Sequence, residues 1–202
     1  MITATLPSKK IRSIDPESKR ESILSFAHHL FVEKGYHRVS MPSIVEASGV
    51  STGAIYNLFG SKENIARTLH QRLTDNFMLS FHNRLQDCHT TYEKLRAFAE
   101  LIYEQTEKDP AGIDFMLFMR HTDFIDDITP VCMTEPFKVV REIIKDGIAC
   151  GDIKPGDYFV CAVSYTGSIL RPAQLELECV LPTPLAESAD DFIENAWAAI
   201  KA

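Results

Sequence analysis

The amino-acid sequence predicts an all-α protein of about nine helices, with a small N-terminal head of three helices and a larger helical body. Apolar residues recur every three or four positions through most of the chain, which is typical of helices that bury one face. Residues that favour helix starts precede these segments, and Gly or Pro follows most of them. We place the boundaries at residues 1–14 for an N-terminal arm, 15–62 for the head and 63–202 for the body.

Composition and charge limit the classes of function. The chain has 202 residues, 45% of them hydrophobic, and a net charge of −7. Residues 1–65 contain 8 Lys and Arg against 6 Asp and Glu, so the remainder of the chain is strongly acidic. A general nucleic-acid binder would be basic overall, whereas a mildly basic head on an acidic body fits local contact with phosphates. Because neither a signal peptide nor an apolar run of membrane-spanning length is evident, we expect a cytoplasmic protein without a membrane partner.

The first predicted helix starts at Asp15-Pro16-Glu17, with Asp15 as the N-cap and Pro16 at the first helical position, and it runs to Lys34, where Gly35 ends it. Its buried stripe is expected to contain Ile23, Ala27, Leu30 and Phe31. Residues 1–14 show no period. Their basic side chains either reach a DNA groove, as N-terminal arms do, or belong to a solvated tail.

Residues 40–62 contain two short helical patterns that meet at Gly49. Ser40 is a favoured N-cap for residues 41–48, and Ser51 is one for the next helix. Gly49 supplies the permissive backbone that the chain needs to leave the first of these helices. The second helix has Ile55 and Phe59 four residues apart, facing the core. Two helices joined in this way form a helix-turn-helix, whose second helix lies in the major groove of DNA.

This stretch resembles the DNA-binding domain of the tetracycline-repressor (TetR) family of transcriptional regulators. The matching features are Gly35-Tyr36, Ser40, Ala47-x-Gly49-Val50-Ser51, Gly53-x-x-Tyr56-x-x-Phe59 and Ser61-Lys62-Glu63. They cover about residues 17–70. Leu58 departs from the pattern, because the family often has His or Tyr there. The resemblance implies a DNA-binding regulator with an operator as its partner.

The resemblance also assigns roles to residues of the head. Tyr56 and Lys62 are expected to contact DNA phosphates, Lys62 near a helix N-terminus. Ser40 and Ser51 cap helices, and their hydroxyl groups can contact phosphate as well. Thr52 and Gly53 stand where the second helix approaches base edges, and Asn57 is a candidate base reader.

The body should contain six helical segments. A long helix begins after Ser61 and carries Ile65, Leu69, Leu73, Phe77 and Phe81 every four residues, which predicts one buried face. At 1.5 Å per residue it is long enough to connect the head to the body. The other predicted segments are residues 91–108, 112–119, 136–150, 158–180 with a kink at Pro172, and 186–201. Residues 120–135 are predicted to be a loop or a broken helix.

By resemblance, an effector cavity is expected between the helices of the body. Aromatic and Met side chains suit an adaptable apolar pocket, although such residues can equally be ordinary core. The candidate wall residues are Phe77, Phe81, Phe98, Phe115, Met116, Met119, Phe137 and Tyr165. Arg120, His121 or Asp114 could orient a polar end of the effector.

We expect a homodimer through the last two long helices. One recognition helix reads only a few base pairs, so two heads on a palindromic site are needed for adequate affinity. Trp197 lies beside a continuous apolar stripe on the last helix. The candidate interface residues are Tyr165, Ile169, Phe192, Ile193, Ala196 and Trp197. The alternative is that this helix closes only the core of one protomer.

Competing classes have weaker support in the sequence. No motif typical of a phosphate-binding loop, a zinc protease or a serine hydrolase is evident, so we predict no enzyme and no cofactor. The acidic segment around His121 could be drawn as a metal cluster, but we predict a solvated loop and no metal site. Five cysteines outside any Cys-x-x-Cys motif favour free thiols, with a cysteine-switched repressor as the alternative. A sequestering protein that does not bind DNA is disfavoured by the complete head motif.

Overall fold

The computed structural model describes residues 15–202, so the predicted arm and its basic residues, Lys9, Lys10 and Arg12, lie outside the described residues. Within this range nine α-helices form the fold, and the only β-type pairing is an isolated bridge between Ile153 and Lys201. The predicted all-α class is therefore confirmed. The helices are α1 Pro16–Lys34, α2 Met41–Ser48, α3 Thr52–Phe59, α4 Lys62–Leu85, α5 Thr91–Lys108, α6 Pro110–Ile113, α7 Glu135–Cys150, α8 Tyr158–Leu177 and α9 Leu185–Ala198.

Side-chain caps define the starts of several helices. Ser40 and Ser43 form a reciprocal capping box at α2, and Thr90 and Glu93 form another at α5. Each box satisfies backbone N–H groups that a helix start leaves without partners. These caps explain why the starts of α2 and α5 agree with the positions that the sequence predicts.

Two apolar cores divide the molecule. The head core contains α1, α2, α3 and the first two turns of α4, with Ile23, Phe31, Ile44 and Ile55 fully buried. The body core surrounds α5, which contacts α4, α6, α7, α8 and α9. Because α4 contributes Ile65 to the head core and Phe77 to the body core, it joins the two cores directly.

The segment between α6 and α7 departs from a regular helix. A π-helical turn at Asp114–Phe118 follows α6, and 3-10 turns occupy His121–Asp123 and Val131–Met133. The prediction of a broken segment after residue 119 agrees with this. Helix α8 runs without interruption through Pro172, the position of the predicted kink, and Pro172 is buried in the protomer.

A pair of buried histidines lies where the head and body cores meet. The ring centroids of His70 on α4 and His121 are 4.4 Å apart, and His121 also packs edge-on against Phe115 at 4.9 Å. Burial lowers the pKa of both imidazoles. For His121, burial and the neighbouring His70 bring the pKa down to about 4.

We expect the free energy of unfolding to fall as the pH is lowered from 6.5 to about 4. In this window the unfolded His121, with its ordinary pKa of 6.5, binds a proton that the folded protein does not bind. The loss attributable to His121 can reach ~3 kcal/mol. Urea unfolding at a series of pH values measures it. His121→Phe should flatten this part of the profile, and His82→Gln, a change at an exposed imidazole of α4, should not. Equal slopes for wild type and His121→Phe would contradict the assignment.

Candidate nucleic-acid interface

The turn between α2 and α3 fixes the angle of the second helix. Gly49 ends α2 in the left-handed conformation, with φ of 65°, and its backbone N–H donates to the carbonyl of Val45. The side chain of Val50 is buried in the angle between the helices. The Ser51 hydroxyl accepts a hydrogen bond from the Ala54 backbone N–H at 3.4 Å, which caps α3. Helix α3 is therefore held by its start, its core face and the turn before it.

One face of α3 is exposed along its whole length. Thr52, Gly53, Tyr56 and Asn57 are all exposed, whereas Ile55 and Phe59 on the opposite face are buried. Tyr56 is 48% exposed, which leaves its phenol free to reach outward. A β-carbon added at Gly53 would have no atom within 4 Å, so packing within the protein does not require a glycine there. A helix that presents polar side chains around such a glycine can approach another surface closely.

The structure places Lys62 differently from a freely solvated lysine. Its ammonium donates to the carbonyl of Tyr36 at 2.9 Å and to that of Val39 at 2.7 Å, and it lies 4.0 Å from the centroid of the Tyr36 ring. Burial lowers the pKa of this amine. Tyr36 is in turn stacked on Phe124, with ring centroids 3.9 Å apart. Lys62 thus joins the start of α4 to the segment between α1 and α2. Its ammonium has a third N–H group, which the predicted phosphate contact would use.

Lys62→Met should destabilise the head by about 1–3 kcal/mol, because two carbonyl oxygens lose a charged hydrogen-bond donor. Chemical denaturation followed by circular dichroism measures the change. Lys34→Met, a change at an exposed lysine of α1, is the control and should have little effect. Unchanged stability in Lys62→Met would show that the two hydrogen bonds are not formed in solution.

Two basic residues that sequence reasoning missed lie beside the start of α2. His37 and Arg38 are exposed in the 3-10 turn Tyr36–Arg38, directly before the Ser40 cap. Their charge pattern offered a signal, because they are basic residues immediately before a helix N-terminus. Arg20 of α1 has a structural place instead, with its guanidinium carbon 4.7 Å from the centroid of the Phe59 ring.

The predicted effector residues divide between the two cores. Phe77, Phe98 and Phe137 pack edge-on in the body, with centroids about 6 Å apart. Phe81, Met116 and Tyr165 lie in the same core, where the Tyr165 hydroxyl donates to the Leu95 carbonyl at 2.8 Å. In contrast, Phe115 belongs to the head core, 6.0 Å from Phe31 between ring centroids, and Met119 packs against that core as well. The assignment of Phe115 and Met119 to the wall of a body pocket is therefore corrected.

Two small cavities lie among the body residues. One of about 10 Å³ is lined by side chains that include His70, Thr74 and Phe137. The other, of about 120 Å³, lies between α4, α5 and α6, beside Leu73 and Gln105. Phe77 and Met116 line both, so these two side chains separate the cavities.

Four of the six predicted interface residues face the interior. Tyr165, Ile169, Ile193 and Ala196 are buried in the protomer's own core, because α8 and α9 pack against each other and against α5. Phe192 and Trp197 are half-buried, and the Trp197 ring packs on Tyr92 at 5.5 Å. The alternative, that this apolar stripe of α9 closes the protomer, is correct for these positions.

The side chains of the metal cluster that could be drawn around His121 are divided between the interior and the surface of the described chain. His121 is buried, whereas Asp123, Asp126 and Asp127 are exposed. In residues 15–202 no group of three or more His, Cys, Asp or Glu side chains could hold a metal ion. No described helix is long and apolar enough to cross a membrane.

The head therefore has the geometry of a helix-turn-helix DNA-binding domain. Residues 23–69 match the family profile described as "Bacterial regulatory proteins, tetR family". These residues therefore match the DNA-binding domain of the TetR family, the domain that the sequence motifs predict.

Sequence relatives carry consistent names. The chain is 27% identical over 132 residues to the HTH-type transcriptional activator FasR of Mycolicibacterium smegmatis, a match that covers 65% of this chain and 58% of that protein. It is 29% identical over 90 residues to an HTH-type transcriptional regulator of Staphylococcus aureus, covering 45% of this chain and 49% of the relative. The chain thus spans about half the length of these relatives. They are named as regulators and not as enzymes.

The fold is shared with solved structures. The transcriptional regulator FadR from Bacillus subtilis, in complex with stearoyl-CoA, superimposes with a TM-score of 0.76 at 20% identity, over 89% of this chain and 98% of that one. A TetR family transcription regulator from Marinobacter aquaeolei also has a TM-score of 0.76, at 18% identity over 92% and 96% of the two chains.

Proposed function

We propose that this protein is a cytoplasmic repressor that binds a palindromic operator as a homodimer and is released by a small, largely apolar effector. The observation that carries the proposal is the exposed face of α3, where Thr52, Gly53, Tyr56 and Asn57 lie on a helix fixed by Ser51, Gly49 and the head core. Two such helices, one turn of DNA apart, would read two half-sites. A dimer seated on a promoter represses by excluding the polymerase.

The outer face of α8 supports the homodimer. Val160 and Val163 are 62% and 54% exposed, and Gly167 continues the same helical face. A stripe of exposed valines that leads to a glycine lets a second helix approach closely and bury apolar area. We therefore move the interface from the inner residues of α8 to this outer face, with Phe192 and Trp197 at its flank on α9.

The two body cavities support an effector site. Phe77 and Met116 separate spaces of about 10 and 120 Å³, and a methionine side chain can change rotamer at low cost. Movement of these side chains would join the spaces into one apolar pocket between α4, α5, α6 and α7. FadR from Bacillus subtilis holds stearoyl-CoA in a similar fold, which fits an apolar effector here.

Helix α4 provides the connection from effector to DNA. Phe77 lines the proposed pocket, and Ile65 and Leu69, two to three turns earlier on the same helix, belong to the head core. An effector that binds one arrangement of α4 better than the other shifts the population of DNA-competent dimers. Couplings of this kind are usually about 1–3 kcal/mol, or about 5- to 150-fold in operator affinity.

The rival trigger is thiol chemistry. Cys132 and Cys150 are exposed, and Cys161 is buried in the body core. Burial and the nearby carboxylates of Glu93 and Asp87 raise the pKa of Cys88, which disfavours its reactive thiolate. These surroundings disfavour Cys88 as the site of an oxidative trigger.

A direct test uses an operator obtained by selection and a panel of apolar compounds. Wild type and a variant with all five cysteines replaced by serine or alanine should both lose operator affinity with the same compound. Met116→Trp, which fills the cavity, should bind operator but ignore that compound. The effector proposal fails if no compound weakens binding, and the redox alternative gains support if oxidant acts only when cysteines are present. Transcription from a reporter separates repression from activation.

A further inference from the structure

The smaller of the two body cavities, of about 10 Å³, has a polar wall on α4. His70, Thr74 and Phe77 follow each other at intervals of four and three residues, so they lie on one face of that helix, and all three line the cavity. The rest of the lining comes from α5, α7 and the segment between α6 and α7, and it is mainly apolar. A space of this volume holds about one water-sized group.

The two polar side chains of this wall have unused hydrogen-bonding capacity. His70 and Thr74 are 7% and 9% exposed, and within residues 15–202 neither the imidazole nor the hydroxyl group has a hydrogen-bond partner. The hydroxyl group of Thr68 on the same helix, in contrast, donates to the carbonyl four residues earlier. Thr134, the remaining polar residue of the lining, donates its hydroxyl proton to the Val131 carbonyl at 2.6 Å. A buried polar group without a partner is unfavourable, so a ligand that supplies one gains binding energy there.

The polar atoms of this wall are not sealed within the protein. Fully enclosed side-chain polar atoms without a partner occur, in residues 15–202, on His28, Tyr103 and His121. His70 and Thr74 are not among them, so their polar atoms keep accessible surface. The small cavity is a space that both side chains line. A group that enters this cavity can therefore contact both.

The wall selects for an uncharged group. Burial lowers the pKa of His70, so its imidazole is neutral at neutral pH and offers one donor and one acceptor, and the Thr74 hydroxyl offers both as well. No Asp, Glu, Lys or Arg of the described chain lines the cavity. A carboxylate or an ammonium would therefore be buried there without a counter-charge, which is costly. An alkyl end would leave the imidazole and the hydroxyl without partners, whereas a hydroxyl or carbonyl oxygen satisfies them.

We propose that His70 and Thr74 form the polar end of the effector pocket and bind the hydroxyl or carbonyl oxygen of a neutral, otherwise apolar effector. This inference rests on the effector pocket proposed above and names the chemical class of its ligand. The oxygen occupies the small cavity, where the Thr74 hydroxyl and the N–H group of the imidazole donate to it. The apolar part extends past Phe77 and Met116 into the cavity of about 120 Å³ beside Leu73.

Four probes that share a hexyl chain test the proposal: hexanol, chlorohexane, hexanoate and hexylamine. Each is titrated at neutral pH, without DNA, into the full chain labelled with ¹³C at its methionine methyl groups. The Met116 signal, identified by its loss in Met116→Leu, reports occupancy of this pocket. Hexanol should bind at least about tenfold more tightly than hexanoate and hexylamine, because each of these would bury an unpaired charge.

Two variants remove the proposed partners one at a time. Thr74→Val and His70→Leu should each weaken hexanol binding about tenfold, because the hydroxyl group of the ligand loses one hydrogen-bond partner. Both should bind chlorohexane as tightly as wild type or more tightly, which shows that the pocket is still folded. Thr68→Val makes the same change on α4 at a residue that lines neither cavity, and it should leave every affinity unaltered.

The outcomes separate this proposal from the pocket on which it rests. Hexanol affinity that is unchanged in both variants, or binding of hexanoate or hexylamine as tight as that of hexanol, would overturn the proposal. The effector pocket would still stand in that case, because the Met116 signal responds. If no probe shifted the Met116 signal, the polar end and the pocket would both be rejected. Because no DNA is present, none of these results depends on the proposed operator.

Discussion

Gly53→Ala is expected to lower operator affinity about a hundredfold while the protein stays folded. At a close helix–DNA contact an added methyl group should cost each head about tenfold, or 1.4 kcal/mol, and the dimer has two heads. Within the protein the methyl group would meet no atom within 4 Å. Because alanine is the better helix former, the free energy of unfolding should rise by about 0.5–1 kcal/mol. Loss of binding together with a gain in stability cannot come from misfolding.

Fluorescence anisotropy with the selected operator and thermal unfolding of the same samples give both quantities. Gly156→Ala is the matched control, since a β-carbon at that position also has no neighbour within 4 Å and lies in the loop before α8. It should alter neither operator affinity nor the oligomeric state. Wild-type affinity in Gly53→Ala would mean that α3 does not approach DNA closely.

Val163→Asp should convert the dimer to monomers at micromolar concentration. In the proposed interface each protomer would bury an unpaired carboxylate against the other copy. A buried charge without a partner costs about 3–5 kcal/mol. The dimer dissociation constant should therefore rise at least about a hundredfold. Operator affinity should fall with it, because each monomer contacts only one half-site.

Sedimentation velocity at several concentrations measures this change. Leu79→Asp provides the control, since Leu79 is 64% exposed on α4 and is not part of the proposed interface. It should leave the dimer intact, because the charge is then added to an exposed apolar residue outside the proposed interface. A dimeric Val163→Asp, or a Leu79→Asp that also dissociates, would place the interface elsewhere.

Much of the fold could be predicted from local sequence signals. Helix α1 begins at Pro16 and ends at Lys34 as predicted, and α5 spans Thr91–Lys108 as predicted. At these places caps, glycines and periodicity agree, so the short-range signal decides the structure. The exposed face of α3 follows from the same reasoning, because Ile55 and Phe59 select the buried side.

The missed features depend on contacts between distant segments. Lys62 donates to carbonyl groups more than 20 residues earlier in the chain, which no local pattern reveals. Phe115 belongs to the head core because the π-helical turn brings it beside Phe31. On α8 and α9 the apolar stripe indicates a buried face, but periodicity alone does not distinguish the protomer core from a dimer interface. The structure assigns Ile193 and Ala196 to the core.

Selection of bound duplexes from a random DNA library by the purified protein tests the central claim most directly. The account predicts one enriched motif of two inverted half-sites, with centres about 10 base pairs or a multiple of it apart. Asn57→Ala should relax the preference within each half-site and leave the spacing unchanged. If wild type enriched no motif at low salt, or enriched a single site without two-fold symmetry, the account of a dimer that reads a palindrome through α3 would be contradicted.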